Sequence, residues 1–142
     1  MPELLLRILL TIGIALLGLL IYRLANAAVL ARAARAGAAA QAQGDALFEP
    51  GRPAVLYFTT PSCATCKSFQ RPQLRRLEGL LGTGVQVVEV DASQRPDLAG
   101  RWGVLSVPTT FVVDPSGKPR HVNHGAVPAE KLAEQLRALA AG

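Results

Sequence analysis

Cys63 and Cys66 are the only cysteines in this chain of 142 residues, and they lie in the run Ser62-Cys63-Ala64-Thr65-Cys66-Lys67. On a helix, positions i and i+3 share a face, which brings two thiols close enough for a disulfide with small adjustment. The pair follows a strand-like run and opens a helix-like one. The partial positive charge of a helix N-terminus favours a thiolate at the first cysteine. These features predict thiol–disulfide exchange. Cys63 attacks or is attacked, a mixed disulfide forms, and Cys66, one turn in and more buried, resolves it.

Other uses of two cysteines fit less well. A zinc site takes four ligands, and the only histidines, His121 and His124, are spaced more closely than a usual ligand pair. No metal is expected. Haem attachment places a histidine after the second cysteine, where this chain has Lys67. Inert buried cysteines remain an alternative, but the strand–CxxC–helix context makes coincidence a poor explanation.

The elements that must position the pair are legible around it. Ala54–Thr59 reads as a buried strand broken by Pro61-Ser62. Residues 63–81 read as a helix with Phe69, Leu74, Leu77, Leu80 and Leu81 on its apolar stripe and a kink at Pro72. Val85–Val90 is a second strand, and residues 94–102 make a short helix ended by Gly103. Thr109–Val113 and Pro119–His124 form a hairpin around Asp114-Pro115-Ser116-Gly117. Pro128 opens a last helix, with Leu132, Leu136 and Leu139 on one face. The order β-α-β-α-β-β-α predicts an α/β sandwich: one mixed sheet with helices on both sides.

With these elements in place, residues 53–142 resemble the thioredoxin superfamily. Cys63-Ala64-Thr65-Cys66-Lys67 is similar to its CxxC-K motif, Ser106-Val107-Pro108-Thr109-Thr110-Phe111 to the stretch holding its cis-proline, and Gly125 to a further family glycine. The resemblance implies a three-layer fold with a four-stranded sheet, and a cis Pro108 facing the cysteines across a groove. It also implies that Val107 offers its backbone to an extended substrate segment. Protein thiols and disulfides are the implied substrates, together with a redox partner that recharges the pair. No cofactor beyond the Cys63–Cys66 disulfide is called for. Trp102 is expected to pack the helix end against the sheet, and His121 and His124 to sit exposed on the last strand.

Departures from thioredoxin proper are equally specific. Tyr57 stands where the family usually buries an acid beneath the first cysteine, and Val87 where that acid's lysine partner would be. Ser62 replaces a tryptophan, and Ala64-Thr65 replaces Gly-Pro. The first β-α unit of larger members is absent, its place taken by the alanine-rich segment. A non-catalytic binding or assembly module that uses the Pro108 groove is therefore the second reading.

That segment follows an apolar one. Ile8–Tyr22 carries no charge, and Leu4 to Tyr22 gives nineteen residues if Arg7 reaches back to the interface, close to the roughly 20 needed to span a bilayer. A membrane anchor over residues 1–23 fits better than a signal peptide cleaved near Ala25-Asn26-Ala27, since three leucines precede the charge and Arg23 lies close to that site. A buried core helix would show a polar stripe. Residues 24–44 are alanine-dense and predict a solvated helical stalk, weakened at Gly37 and ending near Gly44-Asp45, that holds the domain of residues 45–142 off the bilayer.

Half of all residues are hydrophobic, which excludes a disordered chain. The net charge of +5 divides into +3 on residues 1–44 and +2 on the rest, so no basic face for nucleic acid is expected. A single-pass cell-membrane location follows. A disulfide-exchange domain on such an anchor belongs on the extracytoplasmic side, whereas Arg23, Arg32 and Arg35, outnumbering Arg7 and the amino terminus, argue for the cytoplasm.

Overall fold

A computed structural model describes residues 1–44 and 46–141. Asp45 and Gly142, on which the expected domain bounds fall, lie outside the described residues. The first 41-residue helix, α1, runs unbroken from Pro2 to Ala42. Alanine and leucine are strong helix formers and no proline interrupts them. After Gly44, which takes a left-handed φ of 73°, the chain enters the sheet.

Strands β1 (Ala54–Thr59), β2 (Gln86–Asp91), β3 (Thr109–Val113) and β4 (Pro119–His124) form one sheet in the order β2-β1-β3-β4. β1 pairs parallel with β2, and β3 runs antiparallel to both β1 and β4. Parallel pairing of β1 and β2 requires a crossover, and α2 (Arg71–Leu81) supplies it. Every residue of β1 is buried, as expected for a central strand covered on both faces. The fold is the thioredoxin-like three-layer sandwich with a mixed four-stranded sheet.

The period-two alternation of β1 sorts its side chains into two cores. Ala54, Leu56 and Phe58 join Phe111, Val113, Val122 and Trp102 on one face. Val55 and Tyr57 join Leu74 and Leu77 of α2 and Leu132 and Leu136 of α4 (Ala129–Ala140) on the other. Trp102 follows the short helix α3 (Pro96–Arg101) and packs edge-on to Phe111, with ring centroids 5.1 Å apart. This is the role expected of it.

The alanine-rich segment is helical, as expected, but it is not a solvated stalk. Ala33, Ala36 and Ala40 are buried, and Ala33 and Ala36 join the Trp102 core with Val29 and Leu30 half-buried beside them. Alanine lets the helix axis approach the sheet closely, so what reads as low complexity is a packing face. Gly37 belongs to it: a Cβ there would stand 3.5 Å from Trp102 Cζ2, in ordinary contact. The apolar half differs, because its large side chains from Leu4 to Leu24 are all exposed. It is not a core helix of this domain.

Asp114 organises the β3–β4 turn. Its Oδ1 accepts hydrogen bonds from the backbone N–H of Ser116 and Lys118, and its Oδ2 accepts from Arg120 Nε at 2.7 Å. Burial works against the charge, but the bonds from Ser116, Arg120 and Lys118 outweigh it and hold the carboxyl at about 2. A folded pKa below the unfolded 3.8 means the stabilisation is complete above the unfolded value and is lost as pH falls towards 2. Acid titration of stability should therefore reveal about 2 kcal/mol lost in that window, and Asp114→Asn should remove this component of the slope.

Candidate active site

β1 ends at Thr59, and the turn that follows brings Cys63 to the start of a helix, with its N–H donating to the Thr60 carbonyl. Cys63 and Cys66 form a disulfide with Cα atoms 5.3 Å apart. Their environments differ as the sequence predicts: Cys63 is half-exposed and Cys66 fully buried. The Cys66 N–H donates to Cys63 Sγ at 3.2 Å, so a free N–H of the helix start is spent on the outer sulfur.

The expected single helix over residues 63–81 is divided. Residues Cys66–Gln70 form a π-helical turn before α2 begins at Arg71. Pro72 has no N–H to give the carbonyl four residues back. The turn before it widens, and the Arg71 N–H reaches the Cys66 carbonyl five residues back.

That wider turn aims Gln70 inward. Its side chain is fully buried, donating to the Val127 carbonyl at 3.1 Å and accepting from the Val127 N–H at 2.8 Å. Pro108 is buried after a cis Val107–Pro108 bond, and its carbonyl accepts from the Gly125 N–H at 2.9 Å. Residues 125–127 thus brace both the helix start and the cis-proline. Val107 is half-buried, lies before β3 outside the strand ladder, and packs against the same core as Cys63. Nothing in the sequence marked Gln70, because the backbone it satisfies lies 57 residues away.

Tyr57 lies in the core that also contains Cys66. Burial raises its phenol above the ordinary value of 10.0. Its hydroxyl lies near Thr59 and the Arg71 guanidinium, yet among the described residues it makes no hydrogen bond of good geometry. Arg71 instead pairs through Nη2 with Glu89 at 2.6 Å, at the mouth of the hollow that Val87 lines. The nearest charged pair is therefore at the surface. Replacing the unpaired hydroxyl, Tyr57→Phe, should raise unfolding free energy by about 1 kcal/mol in a denaturant titration, with the exchange rate unchanged. A rate loss of tenfold or more would instead give the phenol a part in the chemistry.

The histidines stand on β4. His124 is exposed as expected, with Nε2 3.2 Å from Asn26 Oδ1 of α1. His121 is half-buried rather than exposed, and that burial lowers its pKa. Among the described residues no group of three His, Cys, Asp or Glu side chains is arranged to hold a metal.

Residues 41–140 match the sequence profile of the thioredoxin-like domain. The chain belongs to that family. Among relatives of this thioredoxin-like protein, thioredoxin Y of the rice chloroplast (Oryza sativa subsp. japonica) is 32% identical over 65% of this chain and 54% of its own length. The thioredoxin of Bacillus subtilis is 32% identical over 54% of this chain and 72% of its own. Among solved structures, the thioredoxin of Fasciola hepatica superposes with a TM-score of 0.55 at 26% identity, covering 63% of this chain and 82% of its own. The thioredoxin-like protein spans about half the length of the rice relative. The matched domain is the one that holds the closed Cys63–Cys66 pair.

Proposed function

We propose that the protein is a membrane-tethered thiol–disulfide oxidoreductase acting on protein cysteines. The observation that carries this reading is the asymmetry of the pair at its helix start. Cys63 is reachable and receives an N–H, while Cys66 is buried behind it. In the reduced protein the same N–H would favour negative charge on Cys63. The Cys63 thiolate attacks one sulfur of a substrate disulfide, a mixed disulfide forms, and one substrate thiolate leaves. Cys66 then loses its proton, attacks Cys63 Sγ and expels the second substrate thiolate. Two electrons pass from the protein to the substrate, and the reverse sequence oxidises a substrate dithiol. Tyr57 holds its proton, so the Cys66 proton goes to water or to the departing thiolate. Val107, beside cis Pro108, offers its backbone to the substrate segment.

No cofactor beyond the Cys63–Cys66 pair takes part, and a second redox protein restores it. The apolar half of α1 spans the cell membrane once, a reading supported by its length and full exposure. The domain lies on the extracytoplasmic side. Disulfide exchange on a single anchor supports that side, whereas the count of Arg23, Arg32 and Arg35 against Arg7 and the amino terminus points to the other.

The test is a glutathione redox titration of the full chain, read by thiol alkylation. Cys63 and Cys66 should titrate as one two-electron couple. Tyr57, where the family acid would be, favours a non-catalytic holder as the second reading, and a pair that never closes would put that reading first.

A further inference from the structure

The membrane helix leaves the domain at a defined end. His124 closes β4, and its ring meets Asn26 of α1. At the other end of the strand, the Gly117 carbonyl lies 3.7 Å from where a Cβ on Gly37 would stand. The helix between Asn26 and Gly37 and the strand from Pro119 to His124 each span about 16 Å, so α1 runs along β4 from end to end. His124 pairs with Thr109, and Thr109 with Phe58. The end where α1 departs is therefore the end that carries Pro108 and, beyond Thr59, Cys63.

A second observation ties that exit to the cysteines. One turn before Asn26, Tyr22 lines a hollow of about 340 Å³ together with Val127, Pro128 and Lys131. Val127 is the residue that Gln70 grips, and Gly125 the one that holds Pro108. Between Tyr22 and Val29 the helix has neither glycine nor proline, so nothing lets the domain swing away. Leu105, 96% exposed, stands at the rim of the groove that Val107 and Thr60 also line. It offers an apolar side chain on this face.

We propose that the Cys63–Cys66 face is turned towards the bilayer, about one helical turn beyond its surface, and that its substrates are cysteines in the few residues flanking transmembrane helices of other proteins. This rests on reading α1 as a membrane span. A cysteine carried on a distant soluble domain would have to enter beneath the protein to reach Cys63. One next to a membrane helix already lies at the right height.

Two measurements on the full chain in phosphatidylcholine vesicles test this. In a Cys63→Ser/Cys66→Ser background, a fluorescent maleimide is attached at Ile12→Cys, Leu105→Cys or Ser116→Cys, and lipids with headgroup or mid-chain nitroxides are the quenchers. Loss of fluorescence at positions 12 and 105, with none at 116, is expected. Loss at 12 without loss at 105 overturns the inference and leaves the span intact, whereas no loss at 12 overturns both. In the second, the reduced wild-type chain meets a transmembrane peptide whose cysteine carries 5-thio-2-nitrobenzoate. With that cysteine two residues outside the apolar stretch rather than twenty, release should be at least about tenfold faster. Equal rates overturn the inference, and no release from either peptide overturns the oxidoreductase reading itself.

Discussion

Cys63→Ser reduces disulfide exchange to the background of solution thiols, whereas Cys66→Ser leaves the first step intact and halts the second. The difference follows from exposure and hydrogen bonding. Cys63 is the sulfur a substrate can reach, and the Cys66 N–H that donates to it stays in place when the Cys66 side chain is changed. Without Cys63 nothing accessible attacks, because Cys66 is fully buried. The loss should be on the order of a thousandfold or more, as for removal of other catalytic nucleophiles. Without Cys66 the mixed disulfide has no internal thiol to resolve it. The Cys66→Ser protein should therefore accumulate substrate adducts that run as reducible bands on non-reducing gels. Full exchange by Cys63→Ser would remove the proposed roles, and adducts forming equally in both variants would remove the asymmetry between them.

A fragment starting at residue 45 should be far less stable than one starting at residue 24. Truncation uncovers Trp102 and removes three buried alanines, of which Ala33 and Ala36 belong to the Trp102 core, together with the half-buried Val29 and Leu30. At about 0.8 kcal/mol per buried methyl and about half the full burial value for the two larger side chains, the loss is about 4 kcal/mol. That is a large share of the stability of a domain this size. Ala33→Asp tests the same contact by one substitution in the longer fragment. Ala33 is completely buried, and an unpaired carboxylate there should cost about 3–5 kcal/mol. Chemical denaturation followed by Trp102 fluorescence reads both. A shorter fragment as stable as the longer would mean that α1 contributes no packing energy.

What the sequence revealed and what it hid divide along the range of the interactions involved. β1 and β3 were readable to the residue because their β-branched and aromatic runs end at Pro61 and Asp114, and β4 because the Asp114–Gly117 turn folds the chain back and Gly125 ends it. The cysteine pair was readable because its spacing and its place after a strand are local facts. The packing face of α1 was not. Ala33, Ala36, Gly37 and Ala40 carry too little side chain to write an amphipathic pattern, and small size is what lets that helix lie close to Trp102. The π turn was half readable: Pro72 announced a disturbance, but its form depended on where the freed hydrogen bonds went. Gln70 looked like any polar helix residue, since its partner Val127 meets it only through the fold. His121 was misread as exposed because alternation along an edge strand says little about what the neighbouring helix covers.

The unbroken passage of α1 from the apolar span into the core also constrains how such a chain can vary in length. A flexible tether tolerates insertions of any size, but a helix advances by about 100° per residue. One residue added between Tyr22 and Val29 would turn the whole domain by more than a quarter of a circle about the helix axis. It would carry residue 22 away from Val127 and Lys131 and point another flank of the domain sideways along the membrane plane. Three or four added residues would nearly restore the angle but raise the domain by about 5 Å. The count of residues in this short alanine-rich stretch is thus a setting of azimuth and height, and related chains that keep the docked helix should differ here by whole turns or not at all.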